Sequence, residues 1–359
     1  MVDIGNFPVF QKVAVREGSG ENAARMIQTN PRIRQLPAWQ RALAQAFSRP
    51  AELLAYLQLP ADHPALAPAG EFPLRVPQGF AARMEKGNPR DPLLLQVWAR
   101  PEEALEVPGF GDDAVGDLAR LKAGGIIHKY EGRALVVATG ACAVHCRYCF
   151  RRHFPYGEAL ASRDRFEETL RELASDRSIR EVILSGGDPL SLADEKLAAF
   201  AEALEFIPHV RRLRVHTRLP VVLPERVDEA LLAWLRRGRL RKVMVVHANH
   251  ARELDGEVAA ALARLRGAGL TLLNQSVLLR GINDSTQALV DLSERLFECG
   301  VMPYYLHMLD PVRGTAHFDV PEREARALLR AAAARLPGYL VPRLVRETPG
   351  APSKTPLDW

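Results

Sequence analysis

Three of the four cysteines in this chain lie within eight residues, at Cys142, Cys146 and Cys149, in the spacing C-x3-C-x2-C. Thiolates so close together in a cysteine-poor chain favour a shared soft metal centre. A [4Fe–4S] cluster usually takes four thiolates, but the fourth cysteine, Cys299, lies far along the chain. The spacing therefore predicts a [4Fe–4S] cluster held by three thiolates, with one iron open to an exchangeable ligand.

Two simpler interpretations of the cysteines remain open at this point. A disulfide with one spare thiol would suit a secreted protein, but residues 1–12 contain no apolar signal core. A structural zinc site would need a fourth ligand, for which His145 or His153 is available. The cluster interpretation is favoured because the residues that follow the cysteines fit it as well.

Bulk composition narrows the class of protein. The 359 residues are 47% hydrophobic and 25% charged, which suits one large α/β domain with an appendage. No run of eighteen apolar residues occurs, so we expect no transmembrane helix and no membrane partner. The net charge of +5 is mild and the arginines are scattered beside acids, so no nucleic-acid partner is expected. An oxygen-sensitive cluster and few cysteines point to the reducing cytoplasm.

A repeated strand–helix pattern dominates the chain after residue 133. Short β-branched runs alternate with segments of helical periodicity, which predicts a parallel sheet covered by helices. Strands are predicted at 134–139, 181–185, 213–217, 242–247, 270–279 and 301–307, and helices at 166–174, 194–206, 226–235, 253–268, 285–299 and 321–336. Six such units joined by right-handed crossovers would form a partial (β/α)6 TIM-type barrel. We predict three regions: an N-terminal helical cap over 1–127, the barrel over 128–336, and a C-terminal tail over 337–359.

Polar residues cluster where the predicted strands end. In parallel barrels these carboxyl ends form the active face, and the cysteine loop also follows a strand. The cluster and the polar strand ends are therefore expected to share one cavity. One strand end reads Ser185-Gly-Gly-Asp188, and glycines there would let the backbone approach a ligand, although Asp188 would serve equally as a turn or helix cap.

The C-terminal stretch ends in a Gly/Pro/Ser loop around Lys354. Enzymes that use pyridoxal phosphate (PLP) hold it through a lysine and need cations for its phosphate. Lys129 and Arg133, with Tyr130 between them, offer two cations and an aromatic ring before the first barrel strand. From residues alone, a solvated lysine remains the favoured interpretation of Lys354, and a PLP lysine is the alternative.

The segment from about residue 75 to 359 resembles the lysine 2,3-aminomutases of the radical S-adenosylmethionine (SAM) class. The matching motifs are Met84-Glu-Lys-Gly-Asn-Pro, His128-Lys-Tyr, the stretch from Cys142 to Tyr156, Ser185-Gly-Gly-Asp-Pro, Leu272-Leu-Asn-Gln-Ser-Val-Leu-Leu, Met302-Pro-Tyr-Tyr-Leu-His, Gly338-Tyr-Leu-Val-Pro and Pro352-Ser-Lys-Thr-Pro-Leu-Asp. The similarity is greatest to the short bacterial form that makes (R)-β-lysine for elongation factor P. It implies a PLP-dependent 1,2-amino migration driven by a deoxyadenosyl radical, with L-lysine as substrate.

The resemblance also implies a role for individual residues. Cys142, Cys146 and Cys149 would hold the cluster, and the open iron would chelate SAM. SAM would be bound by Ser185, Gly186, Gly187, Asp188, His247 and Gln275. Lys354 would be the PLP Schiff-base lysine, with Lys129 and Arg133 on the phosphate and Tyr130 against the ring. Arg151 would clamp the substrate carboxylate, while Asp310 and Glu347 would face its distal ammonium.

Some positions depart from the family's lysine-fermenting members. Lys129 stands where those proteins carry arginine, and Glu347 where they carry aspartate, so the role of Glu347 is less certain. Their zinc site uses a C-terminal extension and a cysteine after Asn-Asp. Here Ser285 follows Asn283-Asp284 and the sequence stops soon after Lys354, so no structural zinc is expected.

Other functions stay open on the sequence. They are a 2,3-aminomutase for another amino acid, a PLP-free radical SAM enzyme, and a non-enzymatic iron–sulfur protein. Expected partners are L-lysine, a low-potential electron donor and, by resemblance, a ligase that lysylates elongation factor P. His128, His216 and His307 would equally be strand-end histidines bonded to backbone, and Cys299 a buried helical thiol.

Overall fold

The computed structural model describes residues 36–61, 72–160 and 165–357. The chain divides after Pro37, and the unit that follows contains every element below. The predicted helical cap is therefore visible only in part, since residues 1–35 and 62–71 lie outside the described residues. The proposed boundaries at 127/128 and 336/337 stay predictions. No helix in the described ranges is both long and apolar enough to span a bilayer.

A sheet of ten strands runs through the described residues, in sequential order from β1 to β10. Its strands are β1 (Leu121–Lys122), β2 (Ile126–Tyr130), β3 (Arg133–Thr139), β4 (Glu181–Gly186), β5 (Arg212–Thr217), β6 (Arg241–Val246), β7 (Thr271–Val277), β8 (Met302–His307), β9 (Arg343–Arg346) and β10 (Thr355–Pro356). Neighbours from β3 to β9 pair in parallel, whereas β1–β2, β2–β3 and β9–β10 pair antiparallel. The α/β partial barrel and its six predicted strands, β3 to β8, are confirmed. The structure adds a seventh parallel strand, β9, and antiparallel strands extend the sheet at both edges.

Helices cross over between the parallel strands as the periodicity predicts. Those of the described residues are α1 (Ala38–Ala44), α2 (Pro50–Tyr56), α3 (Gln78–Ala81), α4 (Tyr156–Ala159), α5 (Arg165–Ser175), α6 (Asp194–Glu205), α7 (Leu219–Val222), α8 (Glu229–Leu235), α9 (Gly256–Gly267), α10 (Thr286–Glu298) and α11 (Glu322–Ala333). Side chains that precede three of them accept hydrogen bonds from the first turn, as N-caps do: Asp228, Asp255 and Ser285. Ser285, the position of interest for zinc, thus caps α10.

The barrel strands alternate in burial, and this alternation aims side chains into the barrel. Successive side chains of a strand point to opposite faces. In β5, Leu213 and Val215 are buried against the surrounding helices, while Arg214 and His216 are half-buried on the other face. In β7, Gln275 lies on the corresponding half-buried set. Because side chains alternate along each strand, His216 and Gln275 both face the interior of the barrel.

Candidate active site

One cavity of about 290 Å³ opens at the carboxyl ends of the parallel strands. It is lined by the three clustered cysteines, by the Ser185–Asp188 turn, by strand-end histidines and by Lys354. The prediction that the cysteine loop and the polar strand ends share one cavity is confirmed. All the residues predicted to bind cluster, SAM, PLP or substrate border this cavity: Cys142, Cys146, Cys149, Ser185, Gly186, Gly187, Asp188, His247, Gln275, Lys129, Tyr130, Arg133, Arg151, Asp310, Glu347 and Lys354.

The cysteine loop follows β3 directly and borders the cavity. Burial raises the pKa of Cys142 and, to about 11, that of Cys149, and neighbouring thiolates add to both shifts. One cation approaches the sulfurs directly, because Arg218 Nη1 lies 2.7 Å from Cys146 Sγ. Three crowded thiols, two of which disfavour ionisation on their own, are a donor set that iron cations would stabilise.

A site for a single metal ion such as zinc is the alternative use of these thiols. Among the described residues, no three His, Cys, Asp or Glu side chains converge on one ion. A cubane places each thiolate on a different iron, so three separated sulfurs remain compatible with it. His145 Nδ1 lies 2.9 Å from Pro73 O, and His153 Nε2 lies 3.2 Å from Arg313 O. The zinc interpretation therefore gains no support from either histidine.

The glycines of the Ser185–Asp188 turn are required by the protein's own packing. Gly186 has φ of +116°, and a Cβ at Gly187 would lie 2.5 Å from Ala141 O. The turn is hydrogen-bonded to the cysteine loop through Gly187 N to Thr139 O at 2.7 Å and Asp188 N to Ala141 O at 2.8 Å. The cysteine loop and the glycine turn thus abut at backbone distance, leaving a side-chain-free cradle beside the thiols.

The carboxylate of Asp188 is occupied by hydrogen bonds within the protein. Its carboxylate accepts hydrogen bonds from Thr217 Oγ1 at 2.7 Å and from the backbone amides of Arg218 and Leu219, and it caps the short helix Pro189–Ser191 through Leu190 N. Burial raises the pKa of Asp188 to about 6, although these hydrogen bonds act to lower it. With four donors already on the carboxylate, the helix-cap alternative accounts for this residue.

Neutral histidines line the cavity floor. Burial lowers the pKa of His247 to about 3, and its Nε2 lies 3.1 Å from Gln275 Nε2. The pKa values of His216 and His307 are also lowered by burial. Within the described residues, Nε2 of His216 and of His307 has no hydrogen-bond partner. The expectation of backbone-bonded strand-end histidines is thus not met at these nitrogens, which are left for a bound ligand.

The edge hairpin β9–β10 brings Lys354 to the cavity. Thr355 pairs with Arg346, so the flanking residues Lys354 and Glu347 face each other across the hairpin. Lys354 Nζ lies 2.5 Å from Glu347 Oε2, and Tyr130 Oη donates to Glu347 Oε1 at 2.5 Å. Burial alone would raise the pKa of Glu347, but Lys354 and the Tyr130 hydroxyl keep it below its usual value.

Two cations lie beside this hairpin, Lys129 and Arg133, and they differ in whether their donors already have partners. Lys129 Nζ is 2.6 Å from Asp117 Oδ1, donates to Val115 O at 2.7 Å and lies 3.4 Å from Glu347 Oε1. The guanidinium of Arg133 stacks 4.7 Å over the Tyr130 ring and has no ion-pair partner in the described part of the chain. Of the two, Arg133 has its donors available for an incoming anion.

Arg151 and Asp310 face the cavity with opposite charge. Arg151 donates through Nε to Asp117 at 2.8 Å and through Nη1 to Ser185 Oγ at 3.2 Å. Burial raises the pKa of Asp310 to about 7, partly opposed by Lys354. No hydrogen bond or ion pair of the Asp310 carboxylate occurs among the described residues, so it is a buried acid without a cation.

Sequence reasoning missed the polar support of the site. Asp117 lies in an irregular segment whose residue pattern gives no signal, and it becomes visible only through its contacts with Lys129 and Arg151. Arg218 directly follows the predicted strand 213–217, but its contacts with Cys146 and with the buried Glu253, at 2.9 Å, were not foreseeable. Charge pairs between distant segments leave no periodic pattern in the sequence.

Comparisons with known proteins agree with one another. The profile described as the radical SAM superfamily matches residues 136–293. The chain is 48% identical over 323 residues to L-lysine 2,3-aminomutase of Escherichia coli K12, covering 89% of this chain and 94% of that protein. It is 45% identical to L-lysine 2,3-aminomutase of Haemophilus influenzae, covering 92% and 98%. With the Clostridium subterminale enzyme of the same name, identity is 31%, covering 77% and 67%.

Proposed function

Because this chain belongs to the L-lysine 2,3-aminomutase family of radical SAM enzymes, we propose that it converts L-lysine to (R)-β-lysine with the help of PLP. Family membership makes it an isomerase and implies a [4Fe–4S] cluster and SAM. The observation that carries the PLP and lysine parts of the proposal is the position of Lys354. It lies in the same cavity as the three cysteines, Asp310 and four arginines, among them Arg133 and Arg151.

We assign the cluster to Cys142, Cys146 and Cys149 and SAM to the adjoining cradle. The cradle offers backbone groups of Gly186 and Gly187 without side chains in the way, which fits a ligand that must approach the cluster closely. His247 and Gln275 stand opposite as a hydrogen-bonded neutral pair. Asp188 would act on SAM by holding the turn in place, because its oxygens are occupied.

PLP fits the hairpin side of the cavity. Lys354 would hold it covalently, Arg133 would bind its phosphate with its available donors, and Tyr130 would pack against its ring. Lys129 would contribute chiefly as a positive charge, since its ammonium already has three oxygen partners within 3.4 Å. When bound, these cofactors supply a carbon radical that takes up and returns a hydrogen atom and a conjugated ring that carries the migrating amino group.

Charge placement supports lysine as the substrate. The guanidinium of Arg151 would bind the carboxylate, for which a planar fork is suited. Asp310 would receive the distal ammonium, because a buried acid without a partner is stabilised by an incoming cation. Glu347 is the weaker candidate for that role, because Lys354, Tyr130 and Lys129 already occupy its oxygens.

Glu347 instead suits a role towards Lys354. The two side chains are 2.5 Å apart, within proton-transfer distance. Glu347 would hold the ammonium form of Lys354 and accept its proton when the amine is needed as a nucleophile. Tyr130 would keep the carboxylate oriented through the hydrogen bond to its other oxygen.

An anaerobic assay tests the proposed function. The purified protein is reconstituted with iron, sulfide and PLP, supplied with SAM, dithionite and L-lysine, and analysed for β-lysine by chiral mass spectrometry after derivatisation. We expect (R)-β-lysine from the wild type and none from Lys354→Ala. Release of deoxyadenosine without β-lysine would reject lysine as substrate, and arginine and glutamate would be tested next.

We further propose that the product serves elongation factor P and that the enzyme works in the cytoplasm with a low-potential electron donor. The support is similarity over nearly the whole length of the short relatives. The test is the mass of elongation factor P purified from the source organism with and without this gene. An unchanged modified lysine in the deletion strain would reject this destination for the product.

A further inference from the structure

Asp117 is a buried acid that contacts two of the cations discussed above: Lys129, a positive charge on the phosphate side, and Arg151, assigned to the substrate carboxylate. It is 2% exposed and directly precedes the short helix Leu118–Arg120. Its Oδ1 lies 2.6 Å from Lys129 Nζ and its Oδ2 lies 2.8 Å from Arg151 Nε. Burial alone would raise the pKa of Asp117, but Arg151 and Lys129 keep it below its usual value, so the carboxylate is ionised.

The two cations come from different parts of the sheet. Lys129 lies on β2, at the antiparallel edge, and Arg151 lies in the loop that follows the third clustered cysteine. Arg151 also donates a hydrogen bond to Ser185 at the end of β4. Lys129 also donates a hydrogen bond to Glu347 beside the C-terminal hairpin. Asp117 is therefore the junction between the substrate end and the cofactor end of the cavity.

Counting the N–H donors of Arg151 shows how Asp117 restricts the orientation of this side chain. A guanidinium has five N–H donors in a fixed plane. Asp117 takes the Nε donor and Ser185 takes one from Nη1. The remaining donors all lie at the Nη1–Nη2 tip, so Asp117 fixes which edge of the guanidinium can meet a carboxylate.

We propose that Asp117 is a positioning residue that sets the orientation of Arg151 and its separation from Lys129, so that an amino-acid carboxylate and a phosphate monoester bind at a defined spacing. This inference rests on the proposed function. It goes beyond it because it gives Asp117 a role through its contacts with the two cations. Reacting atoms held by two anchors depend on the spacing of those anchors.

Two other roles for Asp117 make different predictions. If it only compensates charge, Asp117→Asn would leave extra positive charge and tighten anion binding, whereas Asp117→Glu would behave like the wild type. If it only stabilises the fold, both variants would melt earlier with unchanged affinities. Positioning predicts that both variants lose affinity, since Asn lacks one charged acceptor and Glu displaces it by one methylene.

The experiment measures equilibrium binding rather than turnover. PLP-loaded protein without SAM or reductant is titrated calorimetrically with L-lysine and with L-lysinamide, whose carboxylate is replaced by a neutral amide. PLP binding to the PLP-free protein is followed by absorbance. The matched control is Asp112→Asn, which removes an exposed acid of the same segment that pairs with Arg313. Thermal melting of all four proteins accompanies the titrations.

We expect the wild type and the control to prefer lysine over lysinamide by on the order of tenfold or more, and both Asp117 variants to lose most of that preference. A preserved preference, or rescue by Asp117→Glu, would overturn the inference while leaving the proposed function intact. If the wild type binds no lysine, the proposed function fails. The PLP titration then decides alone: a tenfold loss confined to the Asp117 variants supports positioning, and equal affinities overturn it.

Discussion

The two ends of the cavity differ in how their titratable groups are held before any ligand binds. At the cluster end, defined by Cys142, Cys146 and Cys149, burial raises the pKa of two thiols, which favours the neutral form. At the tail end, defined by Asp117, Lys129, Tyr130, Glu347 and Lys354, acids and cations neutralise one another. The pKa values of Asp117 and Glu347 are lowered there by their cationic neighbours, so these groups are ionised before any ligand binds.

This contrast indicates that the two ends of the cavity are organised for their ligands in different ways. The tail end is organised by its own ion pairs, so PLP and substrate would meet side chains already in place. The cluster end has crowded thiols and needs a positively charged metal group to hold them as thiolates. We therefore expect perturbations at the cluster end to act through loss of the cofactor, and those at the tail end through misplaced contacts.

The largest effect is expected from Cys146→Ser. Loss of one of only three thiolates should prevent cluster assembly and abolish SAM cleavage. Iron and sulfide content and deoxyadenosine release measure the result. Cys299→Ser is the matched control, because Cys299 lies buried at the end of α10, outside the residues that line the cavity. Full activity of the Cys146 variant would remove the cluster assignment.

Lys354→Ala should abolish turnover while leaving the cluster intact, because it alters only the tail end. Borohydride reduction followed by peptide mass spectrometry should find PLP attached to the wild type and not to the variant. Lys122→Ala, which removes a surface lysine paired with Glu172, is the control. Attachment of PLP to another lysine in the variant would move the anchor elsewhere.

Asp310→Asn should weaken L-lysine binding by roughly ten- to a hundredfold, because the distal ammonium loses a buried counter-charge. The pKa of Asp310 near 7 adds a pH signature. Wild-type affinity should increase from pH 6 to pH 8 as the carboxylate ionises, and the variant should lose this dependence. Calorimetric titration at several pH values checks both, and a pH-dependent variant would contradict the assignment.

The smallest effect is expected on stability, again from Asp310→Asn. The folded-state pKa of Asp310 lies above its ordinary value, so burial of this acid destabilises the ligand-free protein progressively as the pH rises from about 4, and fully above about 7. The variant should therefore melt higher than the wild type at pH 8, by about 2 to 4 °C for each kcal/mol gained. At pH 4 the difference should vanish, and a lower melting temperature at pH 8 would show that Asp310 has a hidden partner.

The contrast between the two ends also explains what sequence reasoning recovered. The cysteine spacing and the six strand–helix units are local patterns, so residues 134–139 and the helices that follow were located from periodicity alone. Strands β1 and β10 have two residues each and exist because of their neighbours. Glu347 meets Lys354, and Asp117 meets Arg151, only through tertiary structure. Such pairings carry no signature that one sequence can reveal.

The hairpin that delivers Lys354 has a consequence for biosynthesis. Lys354 lies about 200 residues after the last clustered cysteine. At about 5 to 20 residues per second, the ribosome makes the cysteine loop roughly ten to forty seconds before the lysine. During that interval the thiols exist in a chain that lacks β9 and β10. Iron–sulfur delivery thus has a time window before the hairpin that carries Lys354 has been made, and the side of the cavity proposed for PLP is completed last.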